Sequence, residues 1–478
     1  MSREPDGDGA PGRLATRVDV PGPGPALAPG PGPALVPEPE LLSEDGDAPD
    51  ADEHGTASSS VPLFASLAVR NYRLFAAGSL FSNVGTWMSR VGQDWLVLTQ
   101  LTDHSATALG VVTGLQFAPI ALLSPLAGAF ADRYPKRRLL QITQALGMLT
   151  GLVLAALVFS GSAQLWHVYV LAAVQGVISA FDNPARQAFA SELVPLDLLT
   201  NAVGLNSASF NAARLVGPGL AGLSIAAWGV GPSLLLNALS FAGPLVALAL
   251  LNTAELRPAP PRRGRGAVRE GLRYVRRRPD LIVIMTVVFM LGTFGLNFQL
   301  SNALMATRVF GLGAEAYGLL GTIMAVGTLG AALLAARRRR PRLRLIVGAL
   351  GVFAVCEGAL ALAPTYVTYA IMLIPVGLAA LTVMTAANAR VQLTTQPSMR
   401  GRVMALYMAI FLGGTPLGAP VIGWIGDTVG PRWTLAVGAI ATGLTFLAIG
   451  GYLVFDRWRA ERRGVWLPEV IAEEPDVS

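Results

Sequence analysis

Long apolar runs recur along the whole of this 478-residue chain, and short polar turns separate them. A helix that crosses a lipid bilayer needs about 20 mostly apolar residues, which is the length of these runs. The strands of a membrane β-barrel would be about half as long and would alternate in polarity, and the runs show no such alternation. The pattern therefore predicts an all-α polytopic membrane protein.

We predict twelve transmembrane helices, six before and six after a polar stretch in the middle of the chain. The predicted spans are residues 73–101, 106–131, 139–160, 165–182, 199–227, 231–252, 281–305, 314–336, 343–363, 366–390, 402–427 and 433–455. The composition agrees with this interpretation, because 53% of the residues are hydrophobic and only 14% are charged. Such a chain has little polar surface to present to water.

These spans divide the chain into five segments. They are a disordered cytoplasmic tail (1–60), an N-terminal six-helix bundle (61–252), a cytoplasmic linker (253–280), a C-terminal six-helix bundle (281–455) and a cytoplasmic tail (456–478). The first tail is rich in Pro, Gly and Ala and lacks a basic region followed by an apolar one. It is therefore expected to be disordered and not to be a signal peptide.

Within the linker, Val268, Leu272 and Val275 recur at helical spacing among arginines. This pattern favours either a short helix on the anionic inner leaflet or a plain linker rich in arginine. The two interpretations stay open.

The basic residues indicate how the chain is oriented. Nine arginines lie between Arg257 and Arg278, and further clusters follow the second and eighth spans, all in loops on one side. The loops on the other side hold only Arg308 and Arg432. Because cytoplasmic loops carry an excess of Lys and Arg, both termini are predicted to be cytoplasmic in a bacterial inner membrane. The net charge of +6 is thereby explained without a nucleic-acid partner.

Several classes of function are disfavoured by single residues. Cys356 is the only cysteine, and His54, His104 and His167 are far apart, so we expect no disulfide and no metal site. Lys136 is the only lysine and does not follow a glycine-rich loop, so the chain has no Walker A sequence. The sequence therefore predicts no cofactor, and neither an enzyme nor an ATP-driven pump.

The two halves of the chain resemble each other. "VGP" occurs at residues 230–232 and again at 429–431, and the glycines of "ARLVGPGLAG" and "GGTPLGAPVIG" before these tripeptides are in the same register. This repeat predicts two pseudo-symmetric six-helix bundles around a central site, an arrangement found in secondary transporters.

The turn after the second predicted span, "GAFADRYPKRR" at residues 128–138, resembles motif A of the major facilitator superfamily. Its matching residues are Gly128, Asp132, Arg133, Lys136 and Arg137. The stretches "GQDWLVLTQL", "FDNPARQAF", "NALSF" and "EGLRYVRRRP" resemble more narrowly the drug and siderophore exporter branch, the enterobactin-exporter-like group. The resemblance covers about residues 65–455. It implies a secondary active exporter that moves an amphipathic small molecule by alternating access, with proton-coupled antiport.

The residues of this turn also have a physical interpretation. Gly128 would let the second span approach a neighbouring helix closely. Asp132 is expected to meet the helix N-terminus near residues 400–402 and to hold one gate shut. The bases Arg133, Lys136 and Arg137 either contribute to this contact or only orient the protein.

Two further motifs follow from the resemblance. The stretch "RLVGPGLAG" resembles motif C, which marks exporters, through Arg214, Gly217, Pro218, Gly219 and Gly222. Close packing by small residues is the alternative explanation. In "FDNPARQAF" the residues Asp182, Pro184 and Arg186 form the candidate motif between the fourth and fifth spans. Motif B is incomplete, because Ala172 stands where its arginine is expected.

Ionisable residues inside spans are costly and are therefore functional candidates. Arg90 and Asp94 are four residues apart and share a helix face, so they form either a structural ion pair or a site where Asp94 exchanges a proton. Glu357 is a further proton-binding candidate. Polar residues that either line a cavity or bond neighbouring helices are Asn206, Ser209, Asn297, Gln299 and Asn302.

The predicted partners are a small-molecule substrate, protons and the lipid bilayer, and the protein is expected to be a monomer. A nutrient importer of the same fold and a non-transporting membrane sensor are the alternatives to the exporter.

Overall fold

The computed structural model describes residues 62, 64–257, 267–338 and 341–463. The predicted disordered tail lies outside these residues. These described residues belong to one compact unit. Residues 64–257 are called the N-terminal half below and residues 267–463 the C-terminal half.

The described residues form helices and turns, and they contain no strand. In chain order the helices are α1 (Arg70–Leu96), α2 (Ala106–Arg133), α3 (Lys136–Phe159), α4 (Leu165–Leu193), α5 (Leu199–Trp228), α6 (Val230–Ser240), α7 (Ala242–Leu250), α8 (Ala267–Arg276), α9 (Pro279–Met290), α10 (Phe298–Leu304), α11 (Ala314–Ala336), α12 (Leu343–Ala361), α13 (Tyr366–Thr394), α14 (Pro397–Thr428) and α15 (Trp433–Arg463). Helix α8 lies inside the predicted linker. The all-α prediction is confirmed over these residues.

Helix starts follow from local sequence. The hydroxyl of Ser105 accepts a hydrogen bond from the Ala108 N–H at the start of α2, and Thr365 caps α13 in the same way. Pro279 occupies the first turn of α9, where its missing N–H costs nothing.

Ten helical stretches of the described residues are long and apolar enough to cross a membrane. The pairs α6–α7 and α9–α10 each count as one stretch. Helices α1 and α5 are long but more polar, because they carry Arg90, Asp94 and Arg214 in addition to several Asn and Ser residues. The chain is thus a multi-pass membrane protein, and the count of twelve spans in two bundles stays a prediction.

The ends of the helices define two faces of the molecule. The basic face is the end where α2 finishes at Arg133 and α3 begins at Lys136. The opposite face is the end where α2 begins at Ala106 and α14 finishes at Thr428.

The two halves pack tightly near the opposite face. There Gly110 of α2 lies against the carbonyl oxygen of Ala419 of α14. A Cβ on Gly222 of α5 would lie only 2.6 Å from the carbonyl oxygen of Ala314 at the start of α11. Small residues allow the helix backbones to approach this closely.

The same helices separate toward the basic face. A Cβ added to Gly128 of α2 or to Gly204 of α5 would meet nothing within 4 Å. The expected close approach at Gly128 is therefore absent. The physical reason is that the basic-face end of α2 has moved away from the C-terminal half while its other end is in contact.

The close contact at Gly222 leads to a stability prediction. The substitution Gly222→Val places methyl groups against the α11 backbone, which cannot move aside cheaply, and overpacking of this kind costs about 1–3 kcal/mol. We expect a clearly lower Tm for the purified protein. The matched control is Gly204→Val on the same helix, which meets open space. Equal Tm values for the two variants would contradict the assigned packing.

Candidate functional site

The carboxylate of Asp427, at the end of α14, lies at the N-terminus of α2 on the opposite face. It accepts hydrogen bonds from the Ala106 N–H (2.8 Å), the Thr107 N–H (2.8 Å) and the Ser105 hydroxyl (3.0 Å). Arg308 completes an ion pair with it at 3.1 Å. A helix N-terminus presents unpaired N–H groups and a partial positive charge, so it suits a carboxylate. We call this contact between the halves the opposite-face latch.

Sequence reasoning missed the opposite-face latch, although one signal pointed to it. Arg308 and Arg432 are the two exceptions to the charge asymmetry of the loops, and both have structural partners. Arg308 binds Asp427, and the guanidinium of Arg432 donates to the Ala361 and Ala363 carbonyl oxygens at the end of α12, each at 2.8 Å.

Asp94 connects the halves toward the opposite face, since it lies in the last turn of α1 and its partner Tyr317 lies in the first turn of α11. It is only 1% exposed. Its Oδ2 accepts a hydrogen bond from the Tyr317 hydroxyl at 2.6 Å and another from the Gln299 amide at 2.7 Å. Asp94 is on α1, whereas Gln299 and Tyr317 are on α10 and α11. One carboxylate therefore holds together helices from both halves of the chain.

The sequence left a structural Arg90–Asp94 ion pair open, and the structure does not contain one within 4 Å among the described residues. Asp94 points toward α10 and α11, while the guanidinium carbon of Arg90 lies 4.9 Å from the Trp87 ring centroid and 5.7 Å from that of Phe117. Residues four apart on a helix share a face, but their side chains here bend toward different neighbours.

A second guanidinium lies on the same indole. The Arg214 guanidinium carbon is 5.6 Å from the Trp87 ring centroid. Contacts of this kind are worth about 0.5–2 kcal/mol each, whereas an arginine in the middle of a span costs about 3 kcal/mol on insertion scales. Two cations and one carboxylate thus give the centre of the molecule a positive excess.

A recess of about 90 Å³ lies beside Arg90 within the N-terminal half. Helices α1, α2, α3, α4, α6 and the residue after α6 supply its walls. Its polar wall includes Thr86, Ser89, Arg90, Gln93, Gln116 and Asn237. Phe117, Leu154 and Phe241 are among its apolar residues.

The residues predicted to line a cavity lie elsewhere. They are Asn206, Ser209, Asn297, Gln299 and Asn302, and the recess contains none of them. Gln299 bonds Asp94. Asn297 donates to the Thr293 carbonyl oxygen at 2.9 Å, and Asn302 accepts from the Tyr369 hydroxyl at 2.7 Å. The Asn302 bond thus joins α10 to α13, whereas the Asn297 bond is local to its own span.

The predicted contact between Asp132 and the start of α14 is absent from this conformation. Asp132 is exposed, and Arg402 instead pairs with Glu270 of α8 at 2.8 Å. Arg402 is available to α8 because α2 and α14 are separated at the basic face.

The bases of the same turn have different surroundings. Arg133 is exposed. Lys136 forms a 2.8 Å ion pair with Glu192 at the end of α4, and Arg137 donates to the Leu248 carbonyl oxygen at 2.7 Å. Lys136 and Arg137 thus bind partners in their own half.

The motif C residues lie where α5 meets two other helices. Gly217 faces Trp87 of α1, and a Cβ on Gly219 would lie 3.0 Å from the Thr322 hydroxyl of α11. Pro218 and Gly222 pack against Gly318 of α11. This cluster forms the contact of α5 with the C-terminal half near the opposite face.

The candidate motif of α4 forms a network inside the N-terminal half. Asp182 accepts hydrogen bonds from Thr143 and Gln144, each at 2.7 Å, and pairs with Arg186 at 3.0 Å. Arg186 also donates to the Ser79 hydroxyl of α1 at 3.2 Å. Pro184 lies inside the helix between the two charged residues.

Glu357 is buried on α12, at 1% exposure. Its side chain lies against Gly438 of α15, and its Oε2 has no hydrogen-bond partner among the described residues. The described residues contain no cluster of metal-binding side chains.

Residues 61–461 match the family described as transmembrane secretion effectors, of the major facilitator superfamily. The chain belongs to this family of membrane transporters. The transporter therefore has a small-molecule substrate and the fold that its motifs imply, and its relatives are transporters and not enzymes.

Curated relatives agree with the family. The staphyloferrin A transporter of Staphylococcus aureus is 27% identical over 378 residues, which cover 77% of this chain and 93% of that protein. The multidrug efflux pump Tap of Mycobacterium tuberculosis is 27% identical over 401 residues, or 79% of this chain and 92% of that pump.

Solved structures show the same fold. A bacterial homologue of the human lysosomal transporter Spinster, in an inward-facing conformation, superposes with a TM-score of 0.60 at 16% identity, covering 86% of this chain and all of that one. The transporter PepTSo gives a TM-score of 0.65 at 10% identity, covering 82% and 99% of the two chains.

The opposite-face latch can be tested by removing its charge. The variant Asp427→Asn keeps the shape but weakens the bonds to Arg308 and to the α2 N-terminus. A loss of about 1–3 kcal/mol would shift the balance between conformations about 5- to 150-fold. The variant Ala419→Cys, made with Cys356→Ala, places a thiol at a fully buried position beside Gly110. A membrane-impermeant maleimide should label this thiol faster when Asp427→Asn is added.

The control is Asp103→Asn, which removes an exposed carboxylate on the same face. Labelling that is unchanged by Asp427→Asn, or equally raised by Asp103→Asn, would contradict the latch.

Proposed function

We propose that this transporter is a proton-coupled exporter of an amphipathic small molecule, working as a monomer by alternating access in a bacterial inner membrane. The relatives named above include a siderophore transporter and a multidrug efflux pump. The observation that carries the proposal is the Asp94 carboxylate of α1, which accepts hydrogen bonds from both Gln299 and Tyr317 of the other half.

The basic face is assigned to the cytoplasm, because the arginine-rich loops lie there. Both termini are then cytoplasmic. In this orientation the described conformation is closed toward the outside by the opposite-face latch and open toward the cytoplasm. A transporter in this state loads its substrate from the cytoplasm.

Asp132 is proposed to close the cytoplasmic side in the other conformation. When α2 approaches α14, Asp132 would meet the α14 N-terminus and Arg402, which here pairs with Glu270. Asp427 uses the N-terminus of α2 in the corresponding way on the other face. Each conformation would thus have one carboxylate at one helix N-terminus, which is the difference in interactions that a two-state equilibrium needs.

Asp94 is proposed to carry the proton. In the conformation that is open to the outside, a proton binds its carboxylate and removes the negative charge. The halves can then return to the described conformation, in which a neutral carboxyl group binds Gln299 and Tyr317 less strongly, since hydrogen bonds to charged acceptors are the stronger ones. Release of the proton to the cytoplasm restores the bonds, and one substrate leaves the cell in the same cycle.

The variant Asp94→Asn tests the coupling. Asparagine has the same size and can still accept a hydrogen bond, but it cannot titrate. In everted vesicles, gradient-driven uptake of substrate should fall to the level of vesicles without the protein, while exchange down the substrate's own gradient continues. A protonophore should abolish the uptake by the unsubstituted protein.

The matched variant is Glu357→Gln, which neutralises another buried carboxyl group of a membrane helix. It should keep gradient-driven uptake. Loss of coupling in Glu357→Gln together with normal coupling in Asp94→Asn would overturn the assignment. Substrate flux into cells under physiological gradients would indicate the nutrient importer, and binding without any flux would indicate the sensor.

The variant Asp132→Asn tests the cytoplasmic gate. We expect lower turnover at normal abundance, because the closed state of this side loses a charged contact. The control Asp197→Asn removes an exposed carboxylate on the same face and should transport normally. Full turnover in Asp132→Asn would remove this residue from the gate.

A further inference from the structure

We propose that the recess beside Arg90 binds an anionic group, a carboxylate, of the transported molecule, so that the substrate is an amphipathic organic acid. This inference rests on the proposed function, because it names the substrate class of the transporter.

The Arg90 guanidinium lines the recess and lacks a protein acceptor. It has five N–H donors, and none of them makes a hydrogen bond or an ion pair with the part of the chain that the structure describes. Its contacts are the faces of Trp87 and Phe117. Stacking leaves the edge of the planar group, where the donors are, free for a ligand.

Asp94, the nearest acid of α1, attracts Arg90 electrostatically but forms no hydrogen bond and no ion pair within 4 Å with it in the described structure. Asp94 uses its Oδ2 for Tyr317 and Gln299 in the C-terminal half. One turn of α1 therefore directs a cation into the recess and an anion across to the other half. Arg214, on the same Trp87 ring, also lacks an acidic partner among the described residues and adds to the positive field.

The walls of the recess define the rest of the ligand. Asn237 is 5% exposed and its Oδ1 has no donor in the described structure. Gln93 and Gln116 bond each other at 3.1 Å and form a fixed polar wall. Phe117 and Phe241 offer apolar surface. A carboxylate that pairs with a guanidinium in two parallel hydrogen bonds, attached to an apolar or aromatic body, fits this arrangement better than a cation does.

The test uses three probes of nearly equal size and different charge. They are 1-naphthoate, 1-naphthamide and 1-naphthylmethylamine, and their binding to the purified full-length protein is measured by calorimetry. We expect 1-naphthoate to bind about 10- to 100-fold more tightly than the amide, the range that a charge-assisted contact supplies, and the amine to bind more weakly still. Equal binding of the three probes would overturn the inference, and this comparison requires no variant.

Variants locate the site. Arg90→Gln should abolish the preference for naphthoate, and Arg90→Lys should restore part of it, since lysine keeps the charge but lacks the planar pair of donors. The control Arg138→Gln removes an exposed arginine of the basic face and should keep the preference. A preference that survives in folded Arg90→Gln would overturn the site.

Three further outcomes separate the explanations. Chloride or phosphate that displaces naphthoate at equal concentration would show a site for inorganic anions only and would overturn the organic-acid class. Efflux of neutral compounds without naphthoate binding would overturn this inference and leave the exporter intact. Naphthoate binding without any efflux would overturn the exporter and leave the anion site.

Discussion

The structure depends on a carboxylate at a helix N-terminus. Asp427 satisfies two of the free N–H groups at the start of α2 and pairs with Arg308, so α14 is held against the first half of the chain on one face only. Close glycine contacts between α2 and α14 and between α5 and α11 extend from this end. Toward the basic face, a Cβ on Gly128 of α2 or on Gly204 of α5 would meet no neighbour. There Asp132 is exposed and Arg402 turns to Glu270.

The buried charges of α1 and α5 lie close to this contact between the halves. A membrane interior makes an unpaired charge costly, and the structure gives its central charges different partners. Asp94 is bonded from the other half, whereas Arg90 and Arg214 share the Trp87 ring. The contact between the halves and the proposed substrate site are thus less than two helical turns apart on α1. A change of charge at Asp94 would affect both.

Much of this architecture could be predicted from the sequence, because the length of apolar runs and the placement of arginines follow directly from the bilayer. The motifs also identified the family. Partners distant in sequence could not be predicted. No local sequence pattern indicates that Asp427 accepts a hydrogen bond from Ser105, or that Asp94 accepts one from Tyr317 instead of pairing with Arg90. The contacts predicted at Gly128 and Asp132 are absent from the described structure for another reason. The basic face is open there, and we propose that these contacts form when that face closes.

Two distances, each measured on its own doubly labelled variant, test the central claim that one face closes as the other opens. In the first variant, nitroxide labels on Ser160→Cys and Leu362→Cys report the opposite face; in the second, labels on Arg138→Cys and Arg337→Cys report the basic face. Both variants carry Cys356→Ala, and all four labelled positions are exposed. Pulsed dipolar spectroscopy then gives each distance as pH or substrate is varied. The account predicts that the opposite-face distance lengthens whenever the basic-face distance shortens. Two distances that lengthen together, or change independently, would contradict it.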